Sequence, residues 1–505
     1  MKTNVSRRLA RCKRRILRRL DPRMVPAPGV FRRRNRKYEL AERTRGMVYG
    51  GVGAMLALAQ AVGLDRAIDE RLRLLKMHRP YTEADHVLNV ALNVLCDGTC
   101  LEDIELRRND EVFLEALGVR RIPDPTTAGD FCRRFSPSTV RDLLDAIDAA
   151  RLQVWARQPR DFFERATLDM DGSLVPTRGE CKEGMDISYS GVWGYHPLVV
   201  SLANTGEVLS LVNRSGNRPS QEGAADEADR AIALCQRAGF RRIRLRGDTD
   251  FSQTRHLDRW DAGGVEFLFG LDCTPQQHVL ADDLPESVWQ TLPRPPRYEA
   301  QQTRRRPENV KEQVVIARGF ENLRLVSETV AECEYRPHAC RKAYRLIIVR
   351  KDLNVTQGQQ VLFEDYRYFF YLTNIREGSA AALVLEANDR CHQENLIAQL
   401  KSGVRALHAP VNSLVANWAY MVMAALAWNL KAWAALWLPT PAGRGAERRA
   451  AEREQVLKME FKAFVNYFLR VPVQLVKQAR RLVYRVLAWN PWLGTFFRLT
   501  DALRC

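Results

Sequence analysis

The sequence predicts a mixed α/β fold: a sheet flanked by helices, with a β-rich insertion and a helical N-terminal domain. Three observations lead there. Apolar positions recur at three and four residues through 50–155, the period of helices packed on one face. Between 160 and 271 short apolar strands follow one another and then alternate with helical stretches, the order of a mixed sheet. From 272 the chain turns rich in Pro, Arg and Gln and then β-like, before a last, mostly helical part.

The first element is a basic arm, residues 1–45. The chain has 505 residues and a formal net charge of +18, and residues 1–40 hold fifteen Lys or Arg against two acids, Asp21 and Glu39. That places +13 on residues 1–40 and +5 on the other 465. An arginine-rich end on a nearly balanced body is a polyanion-binding arm, with affinity that falls steeply with salt. An amphipathic arginine-rich start also suits a transit peptide, a reading the motifs below weigh against. Residues 1–20 lack the unbroken apolar stretch of a secretory signal, so reduced cysteines in a cytoplasmic, nucleoid-associated protein are expected. There are eleven cysteines. Neither Cys96 with Cys100 nor Cys333 with His338 and Cys340 has a four-ligand zinc spacing.

Residues 46–158 form the helical domain, a candidate DNA-binding unit. Its helices include TEADHVLNVALNVL and STVRDLLDAIDAARLQVW, separated by a turn at Asp124-Pro125 with Thr126 or Thr127 placed to cap. Residues 159–271 form the first part of the core. Strands are expected at 166–171, 197–203, 208–213, 241–246 and 265–271, with helices near 221–238 and 253–262; Asn204-Thr205-Gly206 is a hairpin turn. Residues 272–375 are expected to be largely β, from the runs QVVIAR, AYRLIIVRK and YRYFFYLTN. Residues 376–440 return to the core. The apolar stretch 411–437 carries Asn412, Asn417, Asn429 and Lys431, which favours a buried core helix over a membrane span. Residues 441–505 are expected to be helical.

The chemistry-bearing residues lie at the ends of two strands and on one helix. Asp171 and Asp248 each close an apolar strand and are followed by small or polar residues, Gly172-Ser173 and Thr249. Acids at paired strand ends can converge on divalent cations, which prefer hard oxygen ligands. Asp169 is a rival to Asp171, since residues two apart on a strand share a face, and Asp250 is a weaker rival to Asp248. On a helix spanning 380–401, Arg390, Glu394 and Lys401 fall within about 40° of one another if the helix is continuous. Glu394 can then complete a metal cage, and Arg390 and Lys401 can grip phosphates. His196, beside Pro197, is expected to pack rather than react.

Taken together, LDMDGS, LRGDTDF and R-x3-E-x6-K, in that order, resemble the DDE transposases of bacterial insertion sequences, in particular those with a β-rich insertion between the second Asp and the Glu. There are 77 residues from Asp171 to Asp248 and 146 from Asp248 to Glu394, the second gap long enough for such an insertion. The resemblance extends to GVWGYHPLVV and NWAYMVMAALAWNL. It departs at Ala387, which stands where the motif carries Tyr. What the resemblance implies is a ribonuclease-H-like core in which Asp171, Asp248 and Glu394 are catalytic and bind two Mg²⁺ ions, with Mn²⁺ able to substitute. Arg390 and Lys401 would contact DNA. The implied partners are double-stranded DNA, both the element's terminal inverted repeats and the target, and a second copy of the chain in a homodimer. The implied activity is cleavage at the element ends and strand transfer. The alternatives are a catalytically inactive, transposase-derived DNA-binding protein and a ribonuclease-H-like nuclease without strand transfer.

Overall fold

The computed structural model describes residues 44–76, 80–294, 310–357, 360–440, 443, 445–478 and 481–503, and positions 10, 11, 13, 14 and 17 of the basic arm. The arm therefore lies almost wholly outside the described residues. Arg45–Cys505 is a single compact unit, so the helical N-terminal part, the core and the insertion are regions of one body.

The N-terminal region is helical as its periodicity requires. Helices at Val52–Ala61 and Leu64–Arg71 lead to α1, Glu83–Leu95. Thr82 and Asp85 form a capping box at the start of α1. Asp124 caps the helix Pro125–Arg133, with Pro125 at its first position, and Ser136 opens α2, Pro137–Trp155, in the same way.

The core strands are β1 (Arg165–Gly172), β2 (Leu198–Leu202) and β3 (Glu207–Val212). After the helix α3 (Ala224–Ala238) come β4 (Arg242–Gly247) and β5 (Val265–Leu271). Their order in space is β3-β2-β1-β4-β5. β2 runs antiparallel to β1 after a 25-residue connection, 173–197, that forms a small three-stranded sheet of its own, and β3 runs antiparallel to β2 across a short turn. β4 and β5, each reached through a helix, run parallel to β1, as crossover connections demand. Each expected strand lies within a residue or two of its observed position.

The insertion is built from three long strands, β6 (Glu321–Tyr335), β7 (Tyr344–Gln357) and β8 (Gln360–Thr373). It is not a separate sheet. The end of β8 pairs antiparallel with β5, Phe370 opposite Leu271 and Thr373 opposite Leu268, giving one continuous sheet of nine strands. The run QVVIAR departs from expectation: its apolar residues belong to a helix, Val310–Ala317. A short apolar run fits either period, and length alone does not decide it.

The helix foreseen over 380–401 is broken. It consists of α4 (Ala380–Asn388), a break at Asp389–Arg390, α5 (Cys391–Ala398) and a wide turn at Gln399–Gly403. The break has a tertiary cause. The buried Arg246 on β4 donates to the Glu386 carbonyl at 2.7 Å, the group the Arg390 amide would take in a continuous helix; that amide turns instead to Ala387.

α6, Leu414–Trp437, is the axis of the molecule, with every residue from Ala416 to Trp437 buried. A helix apolar all round must be surrounded by protein or lipid. Here it is protein, and no helix of the described residues is long and apolar enough to cross a membrane. Its polar groups are satisfied locally. Asn429 pairs with both backbone groups of Val208 on the edge strand β3, at 2.9 Å each. Lys431 donates to Leu457 at the end of α7, Ala446–Lys458. At the centre, the fully buried carboxylate of Glu207 accepts from Arg151 and Trp155 on α2, Trp433 on α6 and Thr205. One acid thus ties the helical region, the sheet and the central helix together. The last region is not wholly helical: Val473–Gln478 and Arg481–Val486 form a hairpin that pairs with Gly46–Met47.

Candidate active site

Asp171 lies one residue before the end of β1, and Asp248 is the first residue after β4. The two strands are parallel neighbours with Asp169 opposite Arg246. Carrying that register two residues further sets Asp171 opposite Asp248. Glycine accompanies each acid for a steric reason. A Cβ on Gly172 would lie 2.7 Å from the His196 imidazole, and one on Gly247 would lie 2.6 Å from Phe251 Cβ.

The structure separates the two rival aspartates on β1. Asp169 is 1% exposed and engaged bidentately by Arg246, at 2.7 and 2.8 Å, a fork-to-fork pairing that occupies both its oxygens. Asp171 is paired instead with Arg390, which lines the cleft beside Asp248. Asp250 is exposed, and its amide donates to Asp248. His196 is buried with Nδ1 on the Arg218 carbonyl at 2.9 Å, a packing role.

Arg390 brings the two strand-end acids together. Its guanidinium lies 3.4 Å from Asp171 Oδ2 and 3.3 Å from Asp248 Oδ2. Glu394, one turn further on, lines the same cleft as Asp248 and Arg390. The turn that carries it is pinned to β2, where Gln393 donates to the Val199 carbonyl and accepts from Ser201. Lys401 sits in the wide turn after α5, and the charge of Asp171 reaches it. Arg390 and Glu394 thus share the cleft at the strand ends, although the single helix face assumed for Arg390, Glu394 and Lys401 from their spacing does not exist.

Burial raises the Asp171 carboxyl to about 6; Arg390 opposes the rise, and the charges of Asp248 and Glu394 add to it. Asp248 is also raised, first by burial, with Arg390 opposing and Asp250 adding. Burial and neighbouring negative charge both favour the neutral form of a carboxyl, and the Asp171 carboxyl feels both. All three offer oxygen only, the donor chemistry of Mg²⁺ or Mn²⁺. Arg390 stands between Asp171 and Asp248, and among the described residues no three His, Cys, Asp or Glu side chains are gathered closely enough to hold an ion.

Sequence reasoning missed Arg246 and Gln393. The signal for Arg246 was present: RIRLRG places three arginines on one face of a strand, Arg244 and Arg246 of them buried, and a buried strand tolerates such charges only against acids on its neighbours.

A sheet whose adjacent parallel strands end in acids, with a helix laid across those ends, is the frame of a DDE-type domain. The chain belongs to the transposase DDE domain group 1 family, whose model matches residues 46–504. Among solved structures, a piggyBac transposase synaptic complex with hairpin DNA is similar at 12% identity and a TM-score of 0.38, covering 84% of this chain and 80% of that one. No curated protein matches the chain.

Proposed function

We propose that the chain cleaves DNA at the ends of its own mobile element and joins those ends to target DNA, using Asp171, Asp248 and Glu394 as the catalytic carboxylates. The observation that carries this is the meeting of Asp171 and Asp248 on one guanidinium, with Glu394 lining the same cleft. The strand order β3-β2-β1-β4-β5, antiparallel then parallel, supports a ribonuclease-H-like reading of the core.

The three carboxylates would hold two Mg²⁺ ions, for which Mn²⁺ would substitute. Bound there, such ions polarise the scissile phosphate and activate the attacking water or 3′-hydroxyl. Asp171 and Asp248 are anchored at neighbouring strand ends. Glu394 is placed by the Gln393 anchor on β2. Arg390 and Lys401 orient the backbone phosphates beside the acids. The chemistry needs no Ser or Tyr nucleophile, because the DNA hydroxyl itself attacks. The basic arm of residues 1–45 adds sequence-independent affinity for duplex DNA. A homodimer would hold the two element ends side by side.

The test is strand nicking in Mg²⁺ on a plasmid carrying the element with its terminal repeats. Asp171→Ala, Asp248→Ala and Glu394→Ala are each expected to abolish nicking and leave DNA binding largely intact. Unchanged nicking by the three variants overturns the assignment. Binding without nicking by the natural chain would mark it as a DNA-binding derivative instead.

A further inference from the structure

Two arginines meet aspartates at this end of the sheet, and they do so differently. Arg246 forms a tight bidentate pair with Asp169, at 2.7 and 2.8 Å. Arg390 is stretched between two acids, 3.4 Å from one and 3.3 Å from the other. Only its contact with Asp248 is a hydrogen bond. The nitrogen facing Asp171 is buried and has no hydrogen-bond partner among the described residues. A buried guanidinium nitrogen left unsatisfied is costly, so Arg390 is held by charge rather than by fitted geometry.

Arg390 falls at the break between α4 and α5, with no side-chain cap. It opens on a cleft of about 560 Å³ whose walls include Arg294, Tyr371, Asn388 and Glu394.

We propose that Arg390 is an exchangeable internal counter-ion. It occupies Asp171 and Asp248 until a DNA phosphate draws its guanidinium away, and only then can the two carboxylates close on a divalent cation. This rests on the reading of Asp171 and Asp248 as cation-holding acids. The physical argument is charge balance. A guanidinium between two carboxylates already neutralises half their charge and occupies the space an ion needs. A phosphate offers that guanidinium a bidentate partner. Transfer of Arg390 to the phosphate leaves the acids unneutralised, and a divalent cation answers that charge. Cation and DNA therefore bind cooperatively, each raising the other's affinity by the same factor, as linkage requires.

The experiment measures Mn²⁺ binding to the full chain by the loss of the free-ion electron paramagnetic resonance signal. It is run with and without a short blunt duplex oligonucleotide, for the natural protein, Arg390→Gln, Arg390→Lys and Asp171→Asn, with melting temperatures confirming that each is folded. The natural protein is expected to bind Mn²⁺ about tenfold more tightly with duplex present, within the usual range of coupling between sites. Arg390→Gln is expected to bind Mn²⁺ tightly without DNA and to gain little from it. Arg390→Lys, which keeps the charge without the fork, should fall between. Equal Mn²⁺ affinity of Arg390→Gln and the natural protein without DNA, or equal enhancement by duplex, overturns the counter-ion proposal. Failure of the natural protein to bind Mn²⁺ in either condition, or undiminished binding by Asp171→Asn, overturns the underlying reading of the acids instead.

Discussion

Asp171→Asn should make the protein more stable while destroying its chemistry. Burial, with the charges of Asp248 and Glu394, lifts the Asp171 carboxyl from 3.8 to about 6 despite the opposing Arg390. The folded state therefore holds the proton more tightly than the unfolded chain. Between pH 3.8 and about 6 it carries more bound protons, so stability falls as pH rises through that window and stays lowered above it. At 1.36 kcal/mol per pH unit, the full loss is about 3 kcal/mol. Asparagine keeps the shape and cannot ionise, so its advantage is nil near pH 4 and complete by pH 7.5. With an unfolding entropy of roughly 2.1 cal/mol/K per residue, the compact unit has a slope near 1 kcal/mol per degree, which converts the gain to about 3 °C in Tm. Scanning fluorimetry of both proteins from pH 4.5 to 8, without divalent cations, reads the difference directly. A difference independent of pH, or a variant that melts lower at pH 7.5, refutes the reasoning.

Glu207→Ala removes the acceptor shared by Arg151, Trp155, Trp433 and Thr205. Leaving a buried arginine short of a partner should cost about 3–5 kcal/mol, seen as a fall in the denaturant midpoint. Lys401→Ala should weaken DNA binding and reduce the slope of log affinity against log salt by about 0.9, the contribution of one phosphate contact; an unchanged slope removes Lys401 from the DNA path. Lys431 is fully buried, and burial lowers its ammonium to about 7. The folded state then holds fewer protons above that pH than the unfolded chain, so stability rises from pH 7 towards 10. Lys431→Met should flatten that rise, and a variant whose stability climbs as steeply as the natural protein's contradicts it.

The strands and their acids were legible because their pattern is local. ATLDMDGS and RRIRLRGD alternate apolar with polar or charged residues and end in small residues and acids, and the chain there obeys the pleat. Strand alternation puts Asp169 and Asp171 on one face, and the small residue after Asp171 favoured it; that Asp169 is paired with Arg246, 77 residues away, could not be read locally. The broken helix was hidden for a similar reason. ALVLEANDRCHQEN contains neither Pro nor Gly, and the break comes from a carbonyl taken by that same arginine. YRYFFYLTN was visible as a strand, but its pairing with β5 was not, because partner choice depends on contacts far apart in sequence. The C-terminal hairpin VQLVKQ–RLVYRV alternates clearly and was overlooked within a region rich in helix-forming residues.

The proposed chemistry requires the Asp171 and Asp248 oxygens to touch a divalent cation during cleavage. The most direct measurement replaces each in turn by cysteine and compares nicking in Mg²⁺ with nicking in Mn²⁺, since thiolate binds Mg²⁺ poorly and softer ions better. Cleavage lost in Mg²⁺ and regained in Mn²⁺ is the result expected. Equal loss in both ions, from proteins that still fold and bind DNA, would contradict it.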